Sequence, residues 1–67
     1  MYVFKKELKD KVLEGRTIIF LLNLIDINYS YLSRILNGKI HCSLKTAKLI
    51  TKAINENANV NDYFTQK

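Results

Sequence analysis

Apolar side chains recur at helical spacing along almost the whole chain, and only two glycines and no proline interrupt them. A chain with so few backbone breakers folds as short amphipathic helices joined by turns of polar residues. Phe4, Leu8 and Val12 mark one stripe of a first helix over residues 4–14, which Gly15 ends by taking up the left-handed conformation. Thr17 caps a second helix over 17–25, and Asp26, Ile27 and Asn28 form a three-residue break. Asn28 caps a third helix over 28–37, with Leu32, Ile35 and Leu36 on its inner side and Asn37-Gly38 at its end. Ser43 caps a fourth over 43–55, whose stripe is Leu44, Ala47, Ile50 (or Leu49) and Ile54. An Asn-rich loop, Asn55–Asn61, leads to a short last turn over 60–64, where Val60, Tyr63 and Phe64 dock on the rest. The expected fold is all-α: one compact domain of four to five helices spanning residues 1–67. The competing local reading is a hairpin, because Asn-Gly between apolar runs also favours paired strands at Ser33–Leu36 and Lys39–Cys42.

At 67 residues the chain has room for one core and no staple to help it. A domain of this size buries only about 60% of the surface its unfolded form exposes. Its single cysteine, Cys42, allows no internal disulfide, and no Cys/His set binds a metal. Met1–Phe4 runs straight into Lys5 and Lys6, unlike a secretory leader. The longest apolar run, Ile18 to Ile25, is broken by Asn23 and falls well short of the ~20 residues of a membrane span. A reduced, cytoplasmic protein is expected.

Charge becomes informative once it is located. Eleven Lys and Arg stand against six Asp and Glu, a net +5, and the excess lies in the middle of the chain. Residues 27–55 carry Arg34, Lys39, Lys45, Lys48 and Lys52 and no acid. An acid-free basic block inside a folded domain suits a polyanion, nucleic acid before membrane.

Two short helices joined by a three-residue turn, the second opening the basic block, make the layout of a helix-turn-helix. The outer face of the helix over 28–37 then carries Tyr29, Ser30, Ser33 and Arg34 as candidate base readers. Arg34 suits a bidentate contact to guanine, Ser30 can donate or accept at any base, and Tyr29 suits a phosphate or a thymine methyl. Asn37, Lys39 and Lys45 follow as phosphate contacts, with the backbone N–H groups beside Ser43 at the start of the fourth helix. Thr17 and Asn28, at the starts of helices two and three, complete the phosphate set.

These residues resemble a family. From Thr17 to Ile54 the chain is similar to the Cro/CI-type (Xre-like, lambda-repressor-like) helix-turn-helix regulators of phages and low-GC bacteria. The stretch Asn28-Tyr-Ser-Tyr-Leu-Ser-Arg-Ile-Leu-Asn-Gly-Lys39 resembles their recognition helix and its closing N-G-K. Cys42-Ser-Leu-Lys-Thr-Ala-Lys-Leu-Ile-Thr-Lys-Ala-Ile54 is similar to the helix that follows it, and Asn61-Asp-Tyr-Phe64 to their closing turn. The resemblance implies a lambda-repressor-like fold with Tyr29, Ser30 and Arg34 at base-reading positions and Asn37 and Lys39 at phosphate positions. Asp26 departs from the glycine usual at the turn, where a left-handed conformation costs a non-glycine residue on the order of 1 kcal/mol. Leu22 departs from a small alanine. Ile18, Ile19, Phe20 and Leu24 fill places the family often gives to polar residues, which suggests a protein-partner patch of Ile19, Phe20 and Leu24.

The expected function is sequence-specific binding of double-stranded DNA as a transcriptional regulator of phage repressor/Cro type, with possible homodimers forming on DNA. The alternative is an antirepressor or co-repressor that binds a partner repressor protein through apolar helix two. A cationic membrane-active peptide is disfavoured, because the basic residues cluster after the turn rather than ringing an apolar face. His41 and Cys42 are adjacent, so their side chains diverge, and no third group orients a base. No enzyme activity, cofactor, metal or small-molecule substrate is expected.

Overall fold

The computed structural model describes residues 1–13 and 19–67. Its elements in chain order are β1 (Tyr2–Phe4), a 3₁₀ turn (Lys6–Leu8), α1 (Lys9–Leu13), α2 (Ile19–Leu22), α3 (Tyr29–Leu36), α4 (Leu44–Ile54), α5 (Val60–Tyr63) and β2 (Phe64–Gln66). Helices take up 56% of the described residues, so the chain is mostly helical. It is not all-α, because its two ends pair as an antiparallel sheet with Phe4 opposite Phe64 and Tyr2 opposite Gln66.

That sheet corrects the first predicted helix. Phe4 does fall on a helical stripe with Leu8 and Val12, yet Tyr2, Val3 and Phe4 are aromatic and β-branched residues that suit a pleated, half-buried surface. Once Phe64 arrives from the far end, the extended form wins: the two rings meet edge-to-face at 5.3 Å and 77°. Such a pair adds roughly 0.5–1.5 kcal/mol to the apolar burial itself. Regular α-helix therefore begins at Lys9 rather than at residue 4, and the last turn ends at Tyr63, where Phe64 enters β2. On its other side β1 is tied to the middle of the chain. Tyr2 donates its N–H to the Cys42 carbonyl and accepts the Cys42 N–H, both at 2.8 Å. Paired with Tyr2, Cys42 leaves no room for the hairpin alternative, and Ser33–Leu36 are helical.

Of the second predicted helix, 17–25, the described residues form regular helix over Ile19–Leu22. Helical hydrogen bonding nevertheless continues to its predicted end, from Asn23 to the Ile19 carbonyl and from Ile25 to Leu21. Ile25 and Ile27 both pack against the core. Two residues apart, they would point to nearly opposite sides of a helix, so the chain leaves the helix to bury both. The predicted stop at Gly15, the cap Thr17 and the position of Ile18 lie outside the described residues.

The third and fourth helices form where expected. Asn28 caps α3, its side-chain oxygen accepting the Tyr31 N–H at 3.2 Å, and Ser43 caps α4 by accepting the Thr46 N–H at 3.3 Å. At the far end of α3, Gly38 donates to the Ile35 carbonyl and Lys39 to Arg34, the paired bonds of a Schellman motif. Gly38 takes φ +71° there. On α4 the buried stripe is Ala47, Ile50 and Thr51, with Ile54 half-buried, while Leu44 and Leu49 are exposed. This resolves the Ile50/Leu49 alternative and removes Leu44 from the core. Thr51 lies on the same side as Ala47 and Ile54, so it is drawn in despite its hydroxyl, whereas Leu44 sits at the rim of that stripe. The core gathers Phe4, Val12, Leu13, Leu21, Leu32, Ile35, Leu36, Cys42, Ala47, Ile50 and Phe64.

Two substitutions test this packing. A β-carbon at Gly38 would stand 3.4 Å from the Lys6 Cβ and 3.7 Å from the Phe4 carbonyl oxygen, on a backbone already left-handed. Gly38→Ala should therefore lower stability by about 1–2 kcal/mol, read as a lower midpoint in urea; an unchanged midpoint would contradict the left-handed turn. Thr51 is fully buried and its hydroxyl oxygen has no hydrogen-bond partner among the described residues. Thr51→Val, nearly the same shape, should raise the melting temperature through a gain of roughly 1 kcal/mol, and a fall would mean that the hydroxyl is bonded.

Candidate nucleic-acid interface

The candidate interface follows from how α3 is held. Leu32, Ile35 and Leu36 are fully buried, which fixes the rotation of an eight-residue helix and leaves its other side outward. Tyr29, Ser30, Tyr31 and Arg34 are exposed and Ser33 is half-buried. The Arg34 side chain has no hydrogen bond or ion pair among the described residues, so its guanidinium is free to meet a ligand. The four base-reading candidates therefore share one outward side of one rigid helix. Tyr31 joins them, although the sequence reading assigned it no role.

The phosphate candidates divide. Lys39 and Lys45 are exposed and carry no hydrogen bond from their side chains among the described residues. Asn28 and Ser43 act as helix caps, and Ser43 also donates its hydroxyl to the Thr46 hydroxyl at 3.2 Å. Asn37 is half-buried and engaged within the protein. Its amide nitrogen donates to the Ser33 carbonyl at 2.9 Å, and its amide oxygen accepts from the Lys9 ammonium at 2.8 Å. Thr17 lies outside the described residues. Lys52, at the end of the basic block, donates to the carbonyls of Glu56 and Ala58 at 3.0 and 3.3 Å, so it braces the loop after α4. A cation is favoured there by the helix dipole. Lys48 remains exposed.

The apolar patch is smaller than expected. Ile19 and Leu24 are 54% and 55% exposed, but Phe20 is half-buried against the core. Phe20 instead lines a cleft of about 630 Å³ with Leu8, Val12, Ile54 and Tyr63, between the start of the chain and its last turn. A short helix whose buried residue is Leu21 draws one neighbouring ring inward with it.

His41 is exposed while the adjacent Cys42 is buried, so the two do not form a working pair. Burial raises the Cys42 thiol above its usual pKa, opposed weakly by the N-terminal ammonium, which makes it a poor nucleophile at neutral pH. Among the described residues no group of three or more His, Cys, Asp or Glu could hold a metal ion, and no helix is long and apolar enough to cross a membrane. Sequence reasoning missed Lys9, which the helical pattern placed simply on the polar side of the first helix; only its distant partner Asn37 stood out. Comparison with protein-family models, with curated proteins and with solved structures finds no match.

Proposed function

We propose that this protein is a sequence-specific, double-stranded DNA-binding transcriptional regulator of phage repressor/Cro type, with α3 as its recognition helix. The observation that carries the reading is Arg34, its side chain unpartnered among the described residues, on the outward side of a helix whose inner residues Leu32, Ile35 and Leu36 are fully buried. The whole of residues 27–55 is free of acidic side chains, so nothing in that block repels a phosphate backbone.

An α-helix is about as wide as the major groove, roughly 12 Å across. Seated there, Arg34 donates two N–H bonds to guanine, Ser30 and Ser33 bond base edges, and the Tyr29 ring packs on a thymine methyl or its hydroxyl meets a phosphate. Lys39, Lys45 and the backbone N–H groups at the start of α4 hold the phosphates on either side, where contacts set register rather than sequence. Asn28 extends that contact through the start of α3; Asn37 acts by shaping the end of α3. On this reading the chain is a lambda-repressor-like domain that works in the cytoplasm, without catalysis, cofactor or small-molecule substrate. Two copies on adjacent half-sites would set their α3 helices about 34 Å apart.

A second reading rests on Ile19 and Leu24, exposed beside the turn that precedes α3. Through them an antirepressor or co-repressor would grip a partner repressor protein.

Selection from a pool of random duplexes at several salt concentrations separates the two. A DNA reader enriches one site and loses affinity with salt along a log–log slope of a few units. In that pool Arg34→Ala should relax preference at one base pair, at ~1–3 kcal/mol, while Lys39→Ala should weaken every duplex alike. Weak binding without enrichment would favour the partner-binding reading.

A further inference from the structure

We propose that Lys9 is a positioning residue for the reading face: through Asn37 it ties the C-terminal end of α3 to α1 and so sets the tilt at which Tyr29, Ser30 and Arg34 meet the groove. The inference rests on the DNA-binding reading above and adds to it a residue outside the basic block.

The geometry is a short relay. The Lys9 ammonium, half-buried at the first position of α1, donates to the Asn37 side-chain oxygen at 2.8 Å. The same amide donates from its nitrogen to the Ser33 carbonyl at 2.9 Å, a carbonyl that also accepts the Asn37 backbone N–H at 3.1 Å. The amide nitrogen further lies 3.5 Å from the Ser33 hydroxyl, itself on the reading side. The side-chain amide accepts from the ammonium and donates to the carbonyl at once; a carboxylate lacks the donor and would bring negative charge into the basic block. The positive charge of Lys9 also sits by the C-terminal end of α3, where the helix dipole favours a cation.

Apolar contacts alone leave α3 under-determined. Leu32, Ile35 and Leu36 press one side of the helix onto the core, but apolar burial is non-directional and fixes the buried side more than the tilt. Directional hydrogen bonds at one end remove the freedom. The Asn28 cap organises the opposite end only within its own first turn, since it bonds to Tyr31. Lys9 thus supplies the long-range polar tether of α3 to another helix among the described residues.

Lys9→Met keeps most of the aliphatic stem and removes the donors, and Lys9→Arg keeps a donor. Affinity is measured for the duplex that wild-type selection enriches and for a scrambled duplex of the same length and composition. Amide hydrogen exchange is followed at Asn37, Gly38 and Lys39. Lys9→Met should lose about tenfold on the enriched duplex and far less on the scrambled one, so that the ratio collapses; Lys9→Arg should recover most of it. Exchange at the three amides should quicken several-fold in Lys9→Met. Equal losses on both duplexes would make Lys9 a plain phosphate contact and overturn the proposal, as would an unchanged ratio. Should Lys9→Met fail to fold by circular dichroism, Lys9→Gln, whose neutral amide ends one bond short of where the Lys9 ammonium meets Asn37, takes its place with the same outcomes. If wild type prefers no duplex, the DNA-binding reading fails by itself. The tether is then decided by exchange alone: quickened amides uphold it and unchanged amides overturn it.

Discussion

Phe4 and Phe64 stand near opposite ends of the chain, and their contact is the joint on which the rest of the fold closes. A small domain without a disulfide must draw its stability from apolar burial, and burying one large side chain yields roughly 1.5–3 kcal/mol. Both rings are almost wholly buried, and the strands that carry them run side by side. The strand β1 is more than a partner for β2. Its opposite edge exchanges two backbone hydrogen bonds with Cys42, one in each direction, and its Phe4 carbonyl lies against Gly38. One three-residue strand therefore holds the C-terminus on one side and the linker between α3 and α4 on the other. The position of the outward-facing helix is thus set from the first residues of the chain.

The candidate interface depends on a division of labour along α3. Apolar residues on the inner side anchor it, a side-chain cap at Asn28 starts it, and a left-handed glycine stops it before it can run on into Lys39. What is left over is a short rod with two tyrosines, serines and an arginine facing out. The cations that follow are of two kinds. Lys9 and Lys52 are committed to carbonyl or amide oxygens within the protein, while Arg34, Lys39 and Lys45 extend outward unpartnered among the described residues. Counting positive charge would have treated all five alike; hydrogen bonding separates those that brace from those free to bind.

Much of the helical part of this fold was legible in the sequence, and for a physical reason. In α3 and α4 the spacing of apolar residues, the Asn and Ser caps and the Asn-Gly stop all agree, so local preference and tertiary packing point the same way. Where they disagree, the sequence misled. Phe4 lies on a helical stripe by coincidence, and the partner that makes it a strand lies beyond any local window. Leu44 reads as core until the surroundings of α4 are known, and Thr51 reads as surface. At the candidate site, the outward side of α3 was readable from Leu32, Ile35 and Leu36 alone. The engagement of Asn37 was not, because its partner Lys9 carries no local sign of reaching across to another helix. Phe20 belongs to the expected apolar patch together with Ile19 and Leu24, yet which side of that short helix turns in is decided by packing.

The central claim is that the outward side of α3 is the surface that meets DNA. It is tested most directly by following backbone amide resonances while a duplex enriched from a random pool is titrated into the protein. The account predicts the largest shifts at residues 28–34, at Lys39 and at the start of α4, with the β1–β2 sheet and Lys52 nearly silent. Shifts centred on Ile19 and Leu24 or on the sheet, with α3 unmoved, would contradict it.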